Sequence, residues 1–272
     1  MISTGADSHA ALAIAAMRAG LHVFIEKPLC TSVAEVRALR QAQRETKAVV
    51  GVGHAHLPAH PLMMVAQRYI AEGKLGTVVC YEENVSHSGG LVLKPGDWRG
   101  LPSKNPGGML FQCGVHSFHF LSHLFGPVEA VSAMMRYDAN PRTQTADAAN
   151  VLCRHQNGMI GTINAYHTTA FFYEFRIFGT DGNLYFDTHL NKAWYQRRLA
   201  KMPEPRVTVE VPTSPGETYA GLVNWYNAIH GRGEPSPSLD DGVRAVLPVF
   251  AAERAAMEKR EVSIAELAGE IQ

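Results

Sequence analysis

Two short runs near the start of the chain, HVFIE (22–26) and AVVGVG (48–53), are apolar without the alternation of a half-exposed strand. A strand apolar on both sides has to be covered on both sides, the situation of a parallel sheet lying between helices. The neighbouring segments supply those helices. Ser8 to Ala19 is alanine-rich, with Thr4, Asp7 or Ser8 as a cap and Gly20 as a stop. The next helix starts at Thr31–Ser32, where Ser32 and Glu35 have capping-box spacing and Val33, Val36 and Leu39 make an apolar stripe. A third, Pro61 to Glu72, is closed by Gly73. Ligands of such sheets bind beyond the carboxyl ends of the strands, and Glu26, Lys27, His54 and His56 all fall at those ends.

From about residue 76 the pattern changes. Thr77 to Val85 alternates like a strand and Gly114 to Leu124 reads as a helix. Strand-like runs then follow in series: Val128 to Tyr137, Asn150 to Arg154, Met159 to Tyr166, Glu174 to Phe178, Asn183 to Asp187 and Arg206 to Val211. Turn signals such as Gln156-Asn157-Gly158 and Thr180-Asp181-Gly182 separate several of them. Two helices, roughly Gly216 to His230 and Asp240 to Lys259, close the chain. The expected fold is an alternating α/β unit followed by an α+β domain on an antiparallel sheet.

Composition narrows the function. Of 272 residues, 46% are hydrophobic and 18% charged, enough apolar material for a sizeable core. Lys plus Arg equals Asp plus Glu at 25 each, so there is no basic excess for nucleic acid or for an anionic membrane surface. No apolar run reaches the roughly 18 residues of a membrane span, and MISTGADSHAA lacks the basic and apolar regions of a signal peptide. Cys30, Cys80, Cys113 and Cys153 lie far apart without a C-x-x-C, which points to free thiols in a reducing compartment rather than a disulfide framework or zinc ribbon. The expectation is a cytoplasmic protein with neither nucleic acid nor membrane as a partner.

Four clusters carry chemistry. Lys27 follows a buried strand and precedes Pro28, which ends the ladder and turns the chain. Glu26 and Lys27 point to opposite faces and are not expected to pair. An ammonium in a half-dry cleft has its charged form disfavoured, which suits it to proton transfer; the bland alternative is a lysine that snorkels to solvent. The second cluster is GGMLFQCGVHSFHF (107–120), where Gln112 and His116 share a face if the helix begins by Gln112. An imidazole there accepts an alcohol proton at neutral pH. His119 and His123 extend the series, with packed core histidines as the bland reading. The third is GHAHLPAH (53–60): His54 and His56 at a strand end either bind zinc or line a polar cleft without metal, and the second is expected. The fourth is DWRG (97–100), where Arg99 clamps an anionic group beside a Trp98 wall, or merely stacks on that tryptophan at the surface.

Taken together, T-x-A-D-S-H-x-x-x-A (4–13), A-G-L-H-V-x-x-E-K-P (19–28), E-G-K-L-G (72–76), Trp98-Arg99 and G-G-M-L-x-Q-x-G-V-H (107–116) resemble, in order and spacing, the glucose–fructose oxidoreductase / inositol dehydrogenase (Gfo/Idh/MocA) family. The resemblance implies an NAD(P)-dependent oxidoreductase acting on a sugar, inositol or related cyclic polyol or dihydrodiol. It implies a Rossmann domain, here residues 1–75, followed by a substrate and oligomerisation domain, 76–272, with a large, mostly antiparallel open sheet whose free face often forms homo-oligomer contacts. It assigns Lys27 to the substrate hydroxyl and His116 to acid/base work; Gln112, at the family's aspartate position, is counted with them as a catalytic residue that orients a substrate hydroxyl. It puts Thr4, His9, Glu26, Lys27, Pro28, Trp98 and Arg99 near the cofactor; His54, Arg99 and His167, from the AYH run, are the candidates for the substrate pocket. No metal is implied.

Three departures from the pattern matter. Gly5 and Ala6 replace the family's usual Pro and Asn, and Gln112 stands where an aspartate is common. An amide cannot raise the basicity of His116 as a carboxylate would. No G-x-G-x-x-G fingerprint precedes HVFIE, so the chain reads as a Rossmann domain without its first half, leaving one sheet edge without its partner. NAD or NADP is then the cofactor of a full-length protein and is not expected to bind this chain alone. Two alternative functions are a metal-dependent hydrolase using His54 and His56, and a non-catalytic sheet module that oligomerises.

Overall fold

The computed structural model describes residues 1–199, 204–214 and 216–269. Two sheets share one core. The first pairs β1 (Val23–Ile25) with β2 (Val50–Val52) in parallel, and all six residues are buried. α1 (Ala6–Arg18) packs on β1 and on α2 (Val33–Thr46), while α3 (Pro61–Ala71) leans toward the second sheet. The strands are shorter than the apolar runs that announced them. Ser32 caps α2 by accepting the Glu35 N–H, while Glu35 reaches the N–H and hydroxyl of Thr31 rather than closing the box on Ser32. The expected unpaired edge is partly filled. Ile2 bridges β1, and on the other side Pro237 and Ser238 bond β2, so each strand has backbone partners on both sides.

The second sheet has nine strands. In chain order they are β3 (Val78–Ser86), β4 (Val128–Arg136), β5 (Ala148–His155), β6 (Ile160–Tyr166), β7 (Phe172–Gly179), β8 (Gly182–Asp187), β9 (Lys192–Arg197), β10 (Val207–Val209) and β11 (Val262–Ser263). Their spatial order is β10-β9-β8-β7-β3-β6-β5-β4-β11. Among the described strands of this sheet only β3 and β6 run parallel, because the chain leaves β3 through α4 (Val115–Phe125) and returns to it after two hairpins. The inner face packs on α4 and on α6 (Leu239–Glu258); the outer face is open. After α5 (Glu217–Ile229), α6 touches β2, β4 and α4 and so joins the two sheets. Gly242 makes the approach possible: a Cβ there would lie 3.0 Å from a Val52 methyl. β9, β11 and the closing helix α7 (Ile264–Gly269) were not expected from the sequence.

Candidate active site

The chain reverses direction after β1 at a cis Lys27–Pro28 peptide. Lys27 and Glu26 part as expected: the carboxylate turns back to the Lys27 N–H, and the Lys27 ammonium donates to the Gln112 carbonyl at 3.0 Å. That carbonyl belongs to a π-helical turn, Leu110–Gly114, that leads into α4. Gly108 fixes the entry to the turn. It adopts φ 59°, and a Cβ on it would collide with the Ala146 carbonyl. Gln112 meets Lys27 through its backbone, and its side-chain nitrogen is buried without a hydrogen-bond partner, available to donate to a ligand oxygen.

Lys27, His54, His116 and His119 converge. The His54 ring lies 5.5 Å from His116, edge to face, and is stacked on His119 at 4.7 Å. His54 is fully enclosed, with both nitrogens unpartnered. Burial drives its pKa well below the ordinary imidazole value, with His119, His116 and Lys27 adding to the effect. His119 anchors on the Ala55 carbonyl at 3.0 Å. His116 is pushed down to about 3, first by the protein crowding its inner side and then by the charge of Lys27 and by His119 and His60. Its outer edge is exposed, and solvent there tempers the depression. The shift is away from the ordinary titration expected for this ring and toward the neutral imidazole, the form that accepts a proton.

Below these rings opens a cavity of about 190 Å³ lined by Leu57, His60, Glu83, His116, His119, Phe120, Phe175 and Thr188, with Ala55 at its rim. Glu83 was missed at the sequence level. It lies on the inward row of β3 between buried Tyr81 and Val85, and accepts from the Ser117 hydroxyl at 2.8 Å. Burial raises its pKa to about 7, against the lowering effect of Ser117. The signal was present: an acid on the otherwise apolar row of an alternating strand.

Other expected site residues sit elsewhere. His56 turns away from His54 to the Ser236 carbonyl, 3.0 Å away, so the two do not form a metal pair. Among the described residues no group of three or more His, Cys, Asp or Glu is placed to hold a metal. His9 is buried with its ring nitrogens on the Pro28 and Thr4 carbonyls, bracing the loop after β1 against the N-terminal segment. The Arg99 guanidinium lies 4.4 Å from the centroid of exposed Trp98, the surface stack. His167 pairs with His87 at 5.2 Å rather than with His54 or His116; burial, then His87 and Arg99, bring its pKa down to about 4. This second cluster touches the first through Tyr173, whose hydroxyl donates to the Cys113 thiol beside Gln112.

Thr4 and Pro28 are tied together through His9, Glu26 is half-buried beside them, and the Gln112 nitrogen offers an unused donor for a carboxamide or hydroxyl oxygen.

Residues 1–54 match the oxidoreductase family NAD-binding Rossmann fold of GFO/IDH/MocA proteins, and residues 63–185 match the GFO/IDH/MocA C-terminal domain. The chain is 29% identical over 269 residues to 1,5-anhydro-D-fructose reductase of Ensifer adhaerens, covering 94% of this chain and 76% of that protein. It is 27% identical to inositol 2-dehydrogenase of Rhizobium meliloti, covering 97% and 80%. A levoglucosan dehydrogenase solved with NADH and levoglucosan superposes with a TM-score of 0.83 at 24% identity, covering 96% of this chain and 79% of that one, a likeness of fold.

Proposed function

The chain belongs to the Gfo/Idh/MocA family of oxidoreductases, and on that premise we propose that its site handles a secondary alcohol of a cyclic polyol or sugar, with Lys27 on the substrate oxygen and His116 as proton acceptor. The observation that carries the reading is the meeting of Lys27 and His116, 89 positions apart in sequence, around one π-turn beside a polar-floored cavity. The relatives that act on inositol, levoglucosan and 1,5-anhydro-D-fructose supply the substrate class.

NAD or NADP, when bound, supplies the hydride acceptor. The chain's own residues manage the proton. Lys27 exchanges the Gln112 carbonyl for the substrate hydroxyl and stabilises negative charge growing on that oxygen. Neutral His116 takes the hydroxyl proton and passes it to water at its exposed edge. His54, held neutral behind it, places no cation against the forming imidazolium. Gln112 presents its free amide nitrogen to a ligand oxygen. Residues 1–75 are read as the Rossmann part and 76–272 as the substrate and oligomer part. The free sheet face, with exposed Met134, Leu152 and Ile160, is read as the homo-oligomer contact.

Ligand-observed NMR titration with inositol, levoglucosan and 1,5-anhydro-D-fructose tests the reading. At least one is expected to bind, and Lys27→Ala and His116→Ala are each expected to weaken it about tenfold. Absence of binding by all three, or wild-type affinity in both variants, overturns it. The sequence contains no G-x-G-x-x-G, so NAD(H) and NADP(H) are expected to bind this chain weakly at best; micromolar quenching of cofactor fluorescence would contradict that.

A further inference from the structure

The proposed chemistry leaves the acid on the cavity floor unused. Glu83 is 8% exposed. One carboxyl oxygen accepts from Ser117; the other is buried, has no partner, and belongs to the cavity that His60, His116, His119 and Thr188 also line. A buried polar atom without a hydrogen bond costs folding free energy. Placed in the wall of a ligand cavity, such an atom discriminates: a ligand that satisfies it binds, and one that leaves it unpaired is rejected. Phe120 and Phe175 beside it give flat apolar surfaces for the C–H face of a ring.

We propose that Glu83 is a specificity-determining residue of this site, its free oxygen hydrogen-bonding a second hydroxyl of the polyol, on a carbon other than the reacting one. This rests on the alcohol-binding reading above and narrows it to ring polyols whose second hydroxyl reaches β3. A ring lacking that hydroxyl leaves Glu83 unpaired.

The test measures affinities of the wild-type chain, Glu83→Leu, Glu83→Gln and His116→Ala for inositol and its monodeoxy analogues, the quercitols, with folding checked by circular dichroism. Glu83→Leu is expected to lose about tenfold or more in inositol affinity. One quercitol should suffer a similar loss in the wild type and no further loss in Glu83→Leu, because both changes remove the same bond. Glu83→Gln keeps the Ser117 contact and a polar group toward the cavity, so it should lose less. If His116→Ala weakens inositol while Glu83→Leu binds it as the wild type does, this inference falls and the site reading stands. If every quercitol loses equally in both backgrounds, Glu83 only shapes the pocket and the inference falls. If no polyol binds, both fall. Should Glu83→Leu fail to fold, Glu83→Gln carries the test alone: an unchanged ratio of inositol to quercitol affinities overturns the proposal.

Discussion

Replacing Glu83 by Gln should stabilise the chain in base and not in acid. The carboxyl is buried and its pKa rises from an ordinary 4.5 to about 7. Between those values the folded state holds a proton that the unfolded state has released, so folding stability falls as pH rises through the window. The contribution is fully present below 4.5 and is lost above about 7. Each pH unit within the window is worth about 1.4 kcal/mol. From pH 5 to pH 8 the wild type should therefore lose on the order of 2 to 3 kcal/mol through this one group. Gln has the same shape, keeps an acceptor for Ser117 and does not ionise, so it escapes the loss. The assay is urea unfolding of both proteins at pH 5 and pH 8, read as the difference of differences, which cancels titrations common to both. A change of about 2 kcal/mol in favour of Gln at pH 8 supports a dry cavity floor. No change, or a change favouring Glu, would refute the reasoning and mean that the carboxylate is solvated or paired.

The buried histidines around the site act in the opposite direction. The folded-state value of His167 is depressed, so the stability it contributes is present above about 6.5 and is lost as pH falls through about 4; the exposed edge of His116 makes its share smaller. Accordingly, the ring-proton NMR shifts of His54 and His116 should stay flat from pH 8 to pH 5; a midpoint near 6.5 in His116 would remove the claim that it is a neutral acceptor. On the open sheet face, Leu152→Lys should reduce the mass of the particle measured by light scattering without altering its circular dichroism. An unchanged mass would place any oligomer contact elsewhere.

The first sheet and its helices were legible because doubly covered strands write an unbroken apolar run, and α3 is visible in Pro61 and its stripe. β9 was overlooked because KAWYQR has charged or polar ends and inherits its strand from pairing with β8 rather than from its own pattern. Lys27 and His116 were found from local motifs, yet the link between them runs through a backbone carbonyl, which no side-chain pattern records. The π-turn was hidden for the same reason: Leu110–Gly114 carries no residue that distinguishes i+5 from i+4 bonding. His56 and His167 were grouped with the site by residue type. Only the fold shows that one follows the Ser236 loop and the other pairs with His87.

A crystal structure of the chain with a bound polyol tests the central claim most directly. The account predicts one ligand hydroxyl within hydrogen-bond distance of both the Lys27 ammonium and a His116 ring nitrogen, with Lys27 released from the Gln112 carbonyl. A polyol seated elsewhere, with Lys27 still held on that carbonyl and His116 facing only water, would contradict it.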